Sequence, residues 1–284
     1  MYFVGPHVSI GGSAANAPIY AKKIGATGFG MFVKNQRQWF ASDLPQEEID
    51  GFKAAMRENG YTPAEVLPHA GYLINLANPE EEKQMLSLDS LVAEMRRCHA
   101  LGLDKLVLHP GSHLNAMGVP EALRRVGEAL NFAHHESEGV CVVLENTAGQ
   151  GSTIGRTLEE LAGIVEAVED VSRVGICLDT CHAFAAGYDL REPENIVAFL
   201  DDATRLFGKT MLRGFHFNDV KTALGGHWDR HVPLGEGFLG WETFGAFLQD
   251  KRCADVPVVI ETPEEERWPE EVRRLLELAG ERRV

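Results

Sequence analysis

Ligand-type side chains stand at the ends of a series of short apolar stretches in this sequence. Two short spacings add further groups, because His182 follows Asp179 by three residues and His231 follows Asp229 by two. Imidazole and carboxylate groups at such spacings are typical of sites that bind a metal ion. The pattern therefore predicts a metal centre. Seven histidines and carboxylates end apolar stretches: His7, His69, His109, Glu145, Asp179, His216 and Glu261.

The predicted metal ligands are five histidines and four carboxylates, namely His69, His109, Glu145, Asp179, His182, His216, Asp229, His231 and Glu261. Because a zinc ion takes about four ligands, this set with some bridging carboxylates predicts two or three ions. Imidazole-rich sites favour zinc over magnesium or calcium, and Mn²⁺ or Fe²⁺ is an alternative at the carboxylate-rich end. Clustered ions activate water and stabilise an in-line phosphoryl displacement, so phosphodiester hydrolysis is a natural chemistry here.

Strand-like apolar runs alternate with amphipathic helix-like runs along the chain. Eight such units favour a closed TIM-type (β/α)8 barrel, with a doubly wound open sheet as the alternative. The carboxyl ends of barrel strands meet at one face, so the ligand-type residues should converge there, with His182, Asp229 and His231 supplied by loops. We predict strands over residues 2–8, 28–33, 64–69, 105–109, 140–145, 174–179, 213–218 and 256–261. We predict helices over residues 13–24, 45–58, 79–101, 120–136, 157–169, 193–206, 241–250 and 269–280.

Chain length and composition are those of a folded enzyme. The 284 residues suffice for one α/β barrel domain over residues 1–284, since such barrels need roughly 250 residues. The sequence contains no apolar run long enough to span a bilayer and no secretory leader, so we expect a cytoplasmic protein with no membrane partner. The 5 cysteines are too sparse for a disulfide framework, and we expect buried, reduced thiols without a chemical role.

Net charge argues against a broad basic surface for nucleic acid. The chain has 27 basic and 42 acidic residues, and its net charge is −15. Several predicted helices begin with acidic residues, which suits the helix dipole and places much of this charge on an outer ring. Three divalent cations would outweigh the charge of the four predicted carboxylate ligands, so a phosphate would still meet a positive pocket.

The motifs around these residues resemble those of the endonuclease IV family of apurinic/apyrimidinic endonucleases. The resemblance runs nearly from end to end and is most specific around Asp179, His182, Asp229 and His231. It implies a xylose-isomerase-like barrel and a monomeric DNA repair enzyme with DNA-binding loops at the C-terminal face. The matching blocks are GPHVSIGGS, KNQRQW, LPHAGYLINL, VLHPGSH, ENTAGQG, CLDTCHAFAAGYDL, FHFNDVK, DRHVPLGEG and VIETP.

The resemblance also implies three zinc ions. The catalytic carboxylates would be Glu145, which would bridge two ions, and Glu261. The implied reaction hydrolyses the phosphodiester 5′ to an abasic site in double-stranded DNA and leaves a 3′-hydroxyl, and 3′ blocking groups are also removed. The implied ligand sets are His69, His109 and Glu145; Glu145, Asp179, His216 and Glu261; and His182, Asp229 and His231.

Members of this family bend the duplex and flip the abasic sugar out of it, and side chains from two loops fill the gap. The matching residues here are Arg37 in KNQRQW and Tyr72 with Leu73 in HAGYLINL. Such wedge residues must be large and partly apolar, as these are. Further expected DNA contacts are Asn35, Gln150, Lys221 and Arg230.

Three positions depart from the family pattern. Ala70 and Gly71 replace a polar pair that is common after His69, and Val220 stands where a serine is frequent. None is a predicted ligand, so these departures bear on DNA contact and affinity, and leave the expected chemistry unchanged.

Two other functions compete with this interpretation. A sugar isomerase or epimerase of related fold would need a set resembling Glu145, Asp179, His216 and Glu261. That enzyme has no need for the five remaining ligands, which favours phosphate chemistry. The second alternative is a catalytically silent, metal-stabilised scaffold or DNA-damage binder, which the intact ligand set disfavours.

Overall fold

Eight parallel strands close into a barrel in the computed structural model, which describes residues 1–280. The predicted domain extends to residue 284, and residues 281–284 lie outside the described part of the chain. Phe3 of the first strand pairs with Pro257 of the last, and this closure excludes the open sheet. The barrel strands are β1 Phe3–Val8, β2 Phe29–Phe32, β3 Val66–His69, β4 Lys105–Leu108, β5 Cys141–Glu145, β6 Val174–Asp179, β7 Leu212–His216 and β10 Pro257–Ile260.

The strand order around the barrel is β1-β10-β7-β6-β5-β4-β3-β2, so neighbours in the chain are neighbours in space. Each predicted helix has a counterpart, and together they surround the barrel. The helices at predicted positions are α1 Asn16–Lys23, α2 Gln46–Asn59, α3 Glu81–Leu101, α4 Val119–Glu136, α5 Leu158–Val165, α7 Pro193–Phe207, α8 Gly240–Gln249 and α9 Trp268–Leu278.

Several predicted boundaries are shifted by a few residues, and at two of them side chains hydrogen-bond to the backbone and end the regular structure. The strand predicted from residue 64 begins at Val66, since Thr62 and Glu65 form a capping box around the turn Pro63–Glu65. The helix predicted to residue 169 ends at Val165. Asn131 of α4 explains this, because its amide donates to the Ala167 carbonyl at 3.0 Å and its oxygen accepts from the Glu169 N–H at 2.8 Å.

Three short elements lie where loops were predicted. The seven-residue helix α6, Thr180–Ala186, follows β6, and Asp179 caps it by accepting from the His182 N–H at 2.7 Å. Strands β8 (Asp219–Val220) and β9 (His231–Val232) form an antiparallel pair. The expectation that His182 and His231 lie in loops is therefore wrong, whereas Asp229 lies in the loop between β8 and β9.

Successive side chains of a strand point alternately out of and into the barrel, so the protein has two separate hydrophobic cores. Side chains such as Val66, Leu144 and Ile260 pack outward in the larger cluster with the helices. Inside the barrel, a glycine is needed at position 214, because a Cβ there would lie 2.5 Å from Leu67 Cδ2. The small interior core consists of Leu67, Val107, Val143, Cys177 and Val259.

The interior core positions the ligand-type residues, because strand side chains on one face recur every second residue. His69 lies two residues after Leu67, and Glu145 lies two residues after Val143. The same two-residue spacing relates four further pairs: Val107 and His109, Cys177 and Asp179, Gly214 and His216, and Val259 and Glu261. These six polar residues therefore form one layer directly above the small interior core, and we call it the ligand layer.

All five cysteines are free thiols; four of them, including Cys177 and Cys181, are buried as expected, whereas Cys141 is half-buried. Within residues 1–280, the helices are too short or too polar for any of them to cross a membrane.

Candidate metal centre

The first group of potential ligands comprises His69, His109 and Glu145. His69 ends β3, His109 directly follows β4, and Glu145 ends β5. The Nε2 atoms of both imidazoles lie 3.0 Å from Glu145 Oε2. One ligand atom from each residue falls within 4.8 Å of the others, which is close enough for a shared ion.

The second group combines Glu145 with Asp179, His216 and Glu261. His216 Nδ1 lies 2.9 Å from Glu145 Oε1, 3.4 Å from Glu261 Oε2 and 4.0 Å from Asp179 Oδ2. Glu145 is fully buried and faces the first group with Oε2 and the second with Oε1. Its carboxylate is therefore placed to bridge two ions.

The third group contains His182, Asp229 and His231. Asp229 lies between the two imidazoles, with Oδ2 at 3.3 Å from His182 Nε2 and Oδ1 at 3.1 Å from His231 Nε2. The Asp229 side chain is 40% exposed, whereas that of Glu145 is buried. This group is therefore the most open of the three to solvent.

A cysteine also reaches this region. Cys181 has its sulfur within 4.8 Å of ligand atoms of Asp179 and His231. The sequence interpretation gave Cys181 no chemistry, although its position between Asp179 and His182 in α6 was a usable signal. His7, by contrast, belongs to none of the ligand groups found within residues 1–280, and its ring centroid lies 6.5 Å from that of His69.

Hydrogen bonds to backbone carbonyls orient three of the histidines. The Nδ1 atoms of His69, His182 and His231 lie 2.7, 2.9 and 3.3 Å from the carbonyls of Ala70, Asn146 and Glu261. A carbonyl is an acceptor only, so each Nδ1 carries a proton, and in the neutral form of the ring it is Nε2 that would offer its lone pair to a metal ion. Such a second-nitrogen bond is the usual arrangement of histidines that bind a metal.

Two asparagines hold the carboxylates and were missed by sequence reasoning. Asn146 accepts from the Asp179 N–H at 2.7 Å, and Asn218 donates to Asp179 Oδ2 at 2.6 Å. Asn218 also donates to Glu261 Oε2 at 3.3 Å and accepts from the Glu261 N–H at 2.8 Å. Both residues closely follow strand ends, a position that could have marked them as polar residues of the mouth but not shown which residues they hold.

Without bound ions, the imidazoles of the cluster compensate the negative charge of its carboxylates, and the pKa values of both kinds of group are shifted as a result. Burial favours the neutral imidazole, but Asp179 and Asp229 outweigh it and raise the pKa of His182 well above its ordinary value. Burial likewise opposes ionisation of Glu261, but His216 outweighs it and lowers the pKa of that carboxyl to about 2. Protons thus occupy the place of cations, and a site of this composition fits divalent metal ions.

Burial shifts the pKa values of two further residues towards their neutral forms. Asp179 has a raised pKa because it is fully buried. His7 has its pKa lowered to about 4, again chiefly by burial. A metal ion at the second group would reverse the situation for Asp179, since a bound cation favours the ionised carboxylate.

The expected DNA contacts lie around the same mouth. Tyr72 and Leu73 are 62% and 38% exposed. Tyr72 and Gln150 line a cavity of about 370 Å³ together with His109, His182 and Asp229. Two more of them, Asn35 and Arg37, line a second cavity of about 630 Å³ beside His7.

Lys221 and Arg230 lie on the segment that forms the β8–β9 pair. The Lys221 N–H donates to the Arg230 carbonyl at 3.1 Å, and both side chains are exposed. The Arg230 guanidinium lies 5.6 Å from the centroid of the Trp228 ring, which is 54% exposed. A cation and an aromatic face are thus presented at the rim, next to Asp229.

Comparison with known proteins identifies the family of this chain. Residues 19–278 match the family of xylose isomerase-like TIM barrels. Endonuclease IV from Thermus thermophilus is 32% identical, with a TM-score of 0.85 over 98% of this chain and 99% of that chain. The chain therefore belongs to the xylose isomerase-like TIM barrel family and, within it, to the endonuclease IV family.

More distant structures share the fold alone. D-psicose 3-epimerase from Clostridium cellulolyticum H10 is 17% identical, with a TM-score of 0.70 over 99% of this chain and 98% of that chain. A second Thermus thermophilus protein, solved after soaking with ZnCl₂, is 22% identical, with a TM-score of 0.61 over 99% of this chain and 100% of that chain.

Proposed function

We propose that this protein is a metal-dependent endonuclease that hydrolyses the phosphodiester 5′ to abasic sites in double-stranded DNA. The reaction leaves a 3′-hydroxyl, and the same site removes 3′ blocking groups in base excision repair. One observation carries the proposal: three ligand groups, two of which share Glu145, lie at the barrel mouth that also presents Tyr72 and Gln150. The similarity to endonuclease IV from Thermus thermophilus supports it.

The proposed cofactor is three zinc ions per chain, one for each ligand group, with Mn²⁺ or Fe²⁺ as an alternative at one position. When bound, such ions polarise a phosphodiester and supply the positive charge that an in-line displacement requires. The third group is the most open, so we place the leaving-oxygen side of the substrate there. A cytoplasmic location and a monomeric state belong to the same proposal.

Two carboxylates carry the proposed chemistry. Glu145 lies between the first and second groups and cannot turn away, because His69 and His216 flank its two oxygens at 3.0 and 2.9 Å. Glu261 is 16% exposed and held by Asn218, so Oε2 can accept a proton from the attacking water. His216 lowers the pKa of this carboxyl in spite of burial, which favours the ionised form that can accept a proton.

DNA recognition is assigned to the rim residues. Arg37, Tyr72 and Leu73 would enter the duplex beside the flipped sugar, and Asn35, Gln150, Lys221 and Arg230 would contact the backbone. The acidic chain would meet the phosphate through the metal ions and these few rim cations, since a net charge of −15 argues against a broad basic surface.

Sugar epimerisation is the second candidate function, and the fold shared with D-psicose 3-epimerase favours it. Its ligand quartet would be Glu145, Asp179, His216 and Glu261. The first and third groups contribute His69, His109, His182, Asp229 and His231, which a single-ion sugar site leaves without a role.

A nicking assay on a duplex with one synthetic abasic site tests the proposal. We expect a cut on the 5′ side that leaves an extendable 3′-hydroxyl, and no cut in the matched undamaged duplex. Incubation with ketohexoses, followed by sugar analysis, provides the parallel test of epimerisation. If sugar were epimerised and abasic DNA stayed intact, the protein would be an epimerase and not an endonuclease. Binding of abasic DNA without either reaction would indicate a catalytically silent damage binder.

A further inference from the structure

A buried ion pair lies beneath the two loops that carry the proposed wedge residues. Lys34 Nζ is 2.9 Å from Glu94 Oε1, and the two side chains are 2% and 1% exposed. Lys34 is the second residue of the loop after β2, residues 33–45, which carries Arg37, and Glu94 lies in α3. Burying two charges costs about as much as their attraction returns. The pair is therefore better explained by the arrangement it enforces than by the stability it adds.

One face of α3 holds the loop after β2. Ser90, Glu94 and Arg97 share this face, because residues four and seven apart on a helix point the same way. Ser90 Oγ donates to the Trp39 carbonyl at 2.7 Å, and Arg97 Nε donates to the Val33 carbonyl at 2.8 Å. The loop that carries Arg37 is thus attached to the helix on both sides of the ion pair.

Glu94 also reaches the loop after β3, residues 70–80. Its Oε2 accepts from the Gly71 N–H at 2.9 Å, directly before Tyr72. The packing is close, because a Cβ at position 71 would lie 3.2 Å from both Glu94 Oε1 and Lys34 Nζ. The Tyr72 ring in turn lies 5.3 Å from that of Phe32, which ends β2. One carboxylate therefore binds both loops at once.

We propose that the Lys34–Glu94 pair is a positioning device that locks the two loops into one unit, so that Arg37 and Tyr72 with Leu73 enter a duplex together. This inference rests on the proposed function. Opening the helix costs a few kcal/mol, and loops that had to be ordered on binding would add to that cost. Two loops held by a common buried carboxylate are ordered beforehand.

The test is the double variant Lys34→Met/Glu94→Gln. Methionine keeps an unbranched stem, and glutamine keeps an acceptor for the Gly71 N–H. Turnover is compared on two substrates, an abasic site in a fully paired duplex and the same site in a bubble of unpaired bases, where no wedge is needed. We expect kcat/KM to fall about tenfold on the paired duplex and less than about twofold on the bubble.

The control is Arg273→Met/Glu277→Gln, which removes an exposed ion pair on α9 with an Nη1–Oε1 distance of 2.6 Å, away from both loops. It should cut both substrates like the native protein. Gly71→Ala provides a second variant that keeps both charges but crowds the pair, and we expect the same selective loss on the paired duplex. Zinc content and the thermal unfolding midpoint show whether each variant is folded.

A double-mutant cycle supplies a readout that a merely structural pair would not change. In the native background, the losses of kcat/KM on the paired duplex caused by Arg37→Ala and Tyr72→Ala should be non-additive. In the Lys34→Met/Glu94→Gln background, the same two losses should add. Additive losses in the native background, equal loss on paired and bubble substrates, or no loss on either would overturn the inference. Native protein that cuts neither substrate would instead contradict the proposed function.

Discussion

The ligand layer and the rim loops are built in different ways. The ligand layer rests on strand ends directly above the interior core, and Glu145, His216 and Asp179 are fully buried there. The wedge residues stand on loops, with Tyr72 at 62% and Leu73 at 38% exposure. Strand register thus determines the geometry of the proposed chemistry, whereas recognition depends on how loops are attached to a helix. Damage to one region should therefore leave the other largely intact.

Removal of the metal should have the largest effect. We expect more than two ions per chain, with zinc predominant, because three separate ligand groups share the mouth. Prolonged chelation should abolish nicking, and added zinc should restore it. Elemental analysis of the native protein measures the count. A single ion per chain would contradict the assignment of the third group.

Glu261→Gln should affect the ligand layer alone. We expect nicking to fall roughly 100- to 1000-fold, because the variant loses an anionic oxygen in the layer. Binding to abasic duplex should remain measurable, since the rim is unchanged. Glu264→Gln, which alters an exposed carboxylate paired with Arg267, is the control and should keep native turnover. Near-native turnover of Glu261→Gln would remove Glu261 from the proposed site.

Tyr72→Ala/Leu73→Ala should affect the rim alone. Neither side chain is charged, so a loss would show wedging rather than charge attraction. We expect binding to abasic duplex to weaken by one to two orders of magnitude, about 1.4 to 2.8 kcal/mol, with nearly unchanged binding to undamaged duplex.

Affinities for the rim variant must be measured at one salt concentration, because salt shifts both complexes. Phe132→Ala removes an aromatic ring that is 45% exposed on the outer helix α4 and should leave both affinities unchanged. If Tyr72→Ala/Leu73→Ala weakened damaged and undamaged complexes equally, these loops would not read the lesion.

The pH dependence of the metal-free protein should show the smallest effect. His182 is buried and His231 is half-buried, and both have raised pKa values, in spite of desolvation, through their carboxylate partners. Their contribution to folding is complete below the unfolded-state pKa and is lost as pH rises through the folded-state pKa. Stability of the metal-free protein should therefore fall above neutral pH, by about 1.4 kcal/mol per pH unit for each proton lost.

Urea unfolding of chelated and zinc-loaded protein from pH 6 to pH 9 measures this difference. The zinc-loaded protein should show a flatter profile over the same range, because metal binding has already displaced the imidazole protons. Parallel profiles for the two forms would mean that the histidines hold no metal.

Much of the barrel was predictable from local pattern. Strands were predicted at eight places and all eight are present, because buried parallel strands and amphipathic helices differ in the period of their apolar residues. The same period of two explains why His69, His109, Glu145, Asp179, His216 and Glu261 form one layer. Closure of the barrel followed from eight repeating units.

Other features depended on residues far apart in the chain. Asn218 holds Glu261 across 43 positions, Asn146 holds Asp179 across 33, and Glu94 holds Gly71 across 23. A side chain that hydrogen-bonds to a distant backbone leaves no periodic signal in its own neighbourhood. The sequence by itself therefore determined which residue types reach the mouth of the barrel. Only the tertiary structure decided how they are grouped and which loops are held by the same helix, because those contacts form after the barrel closes.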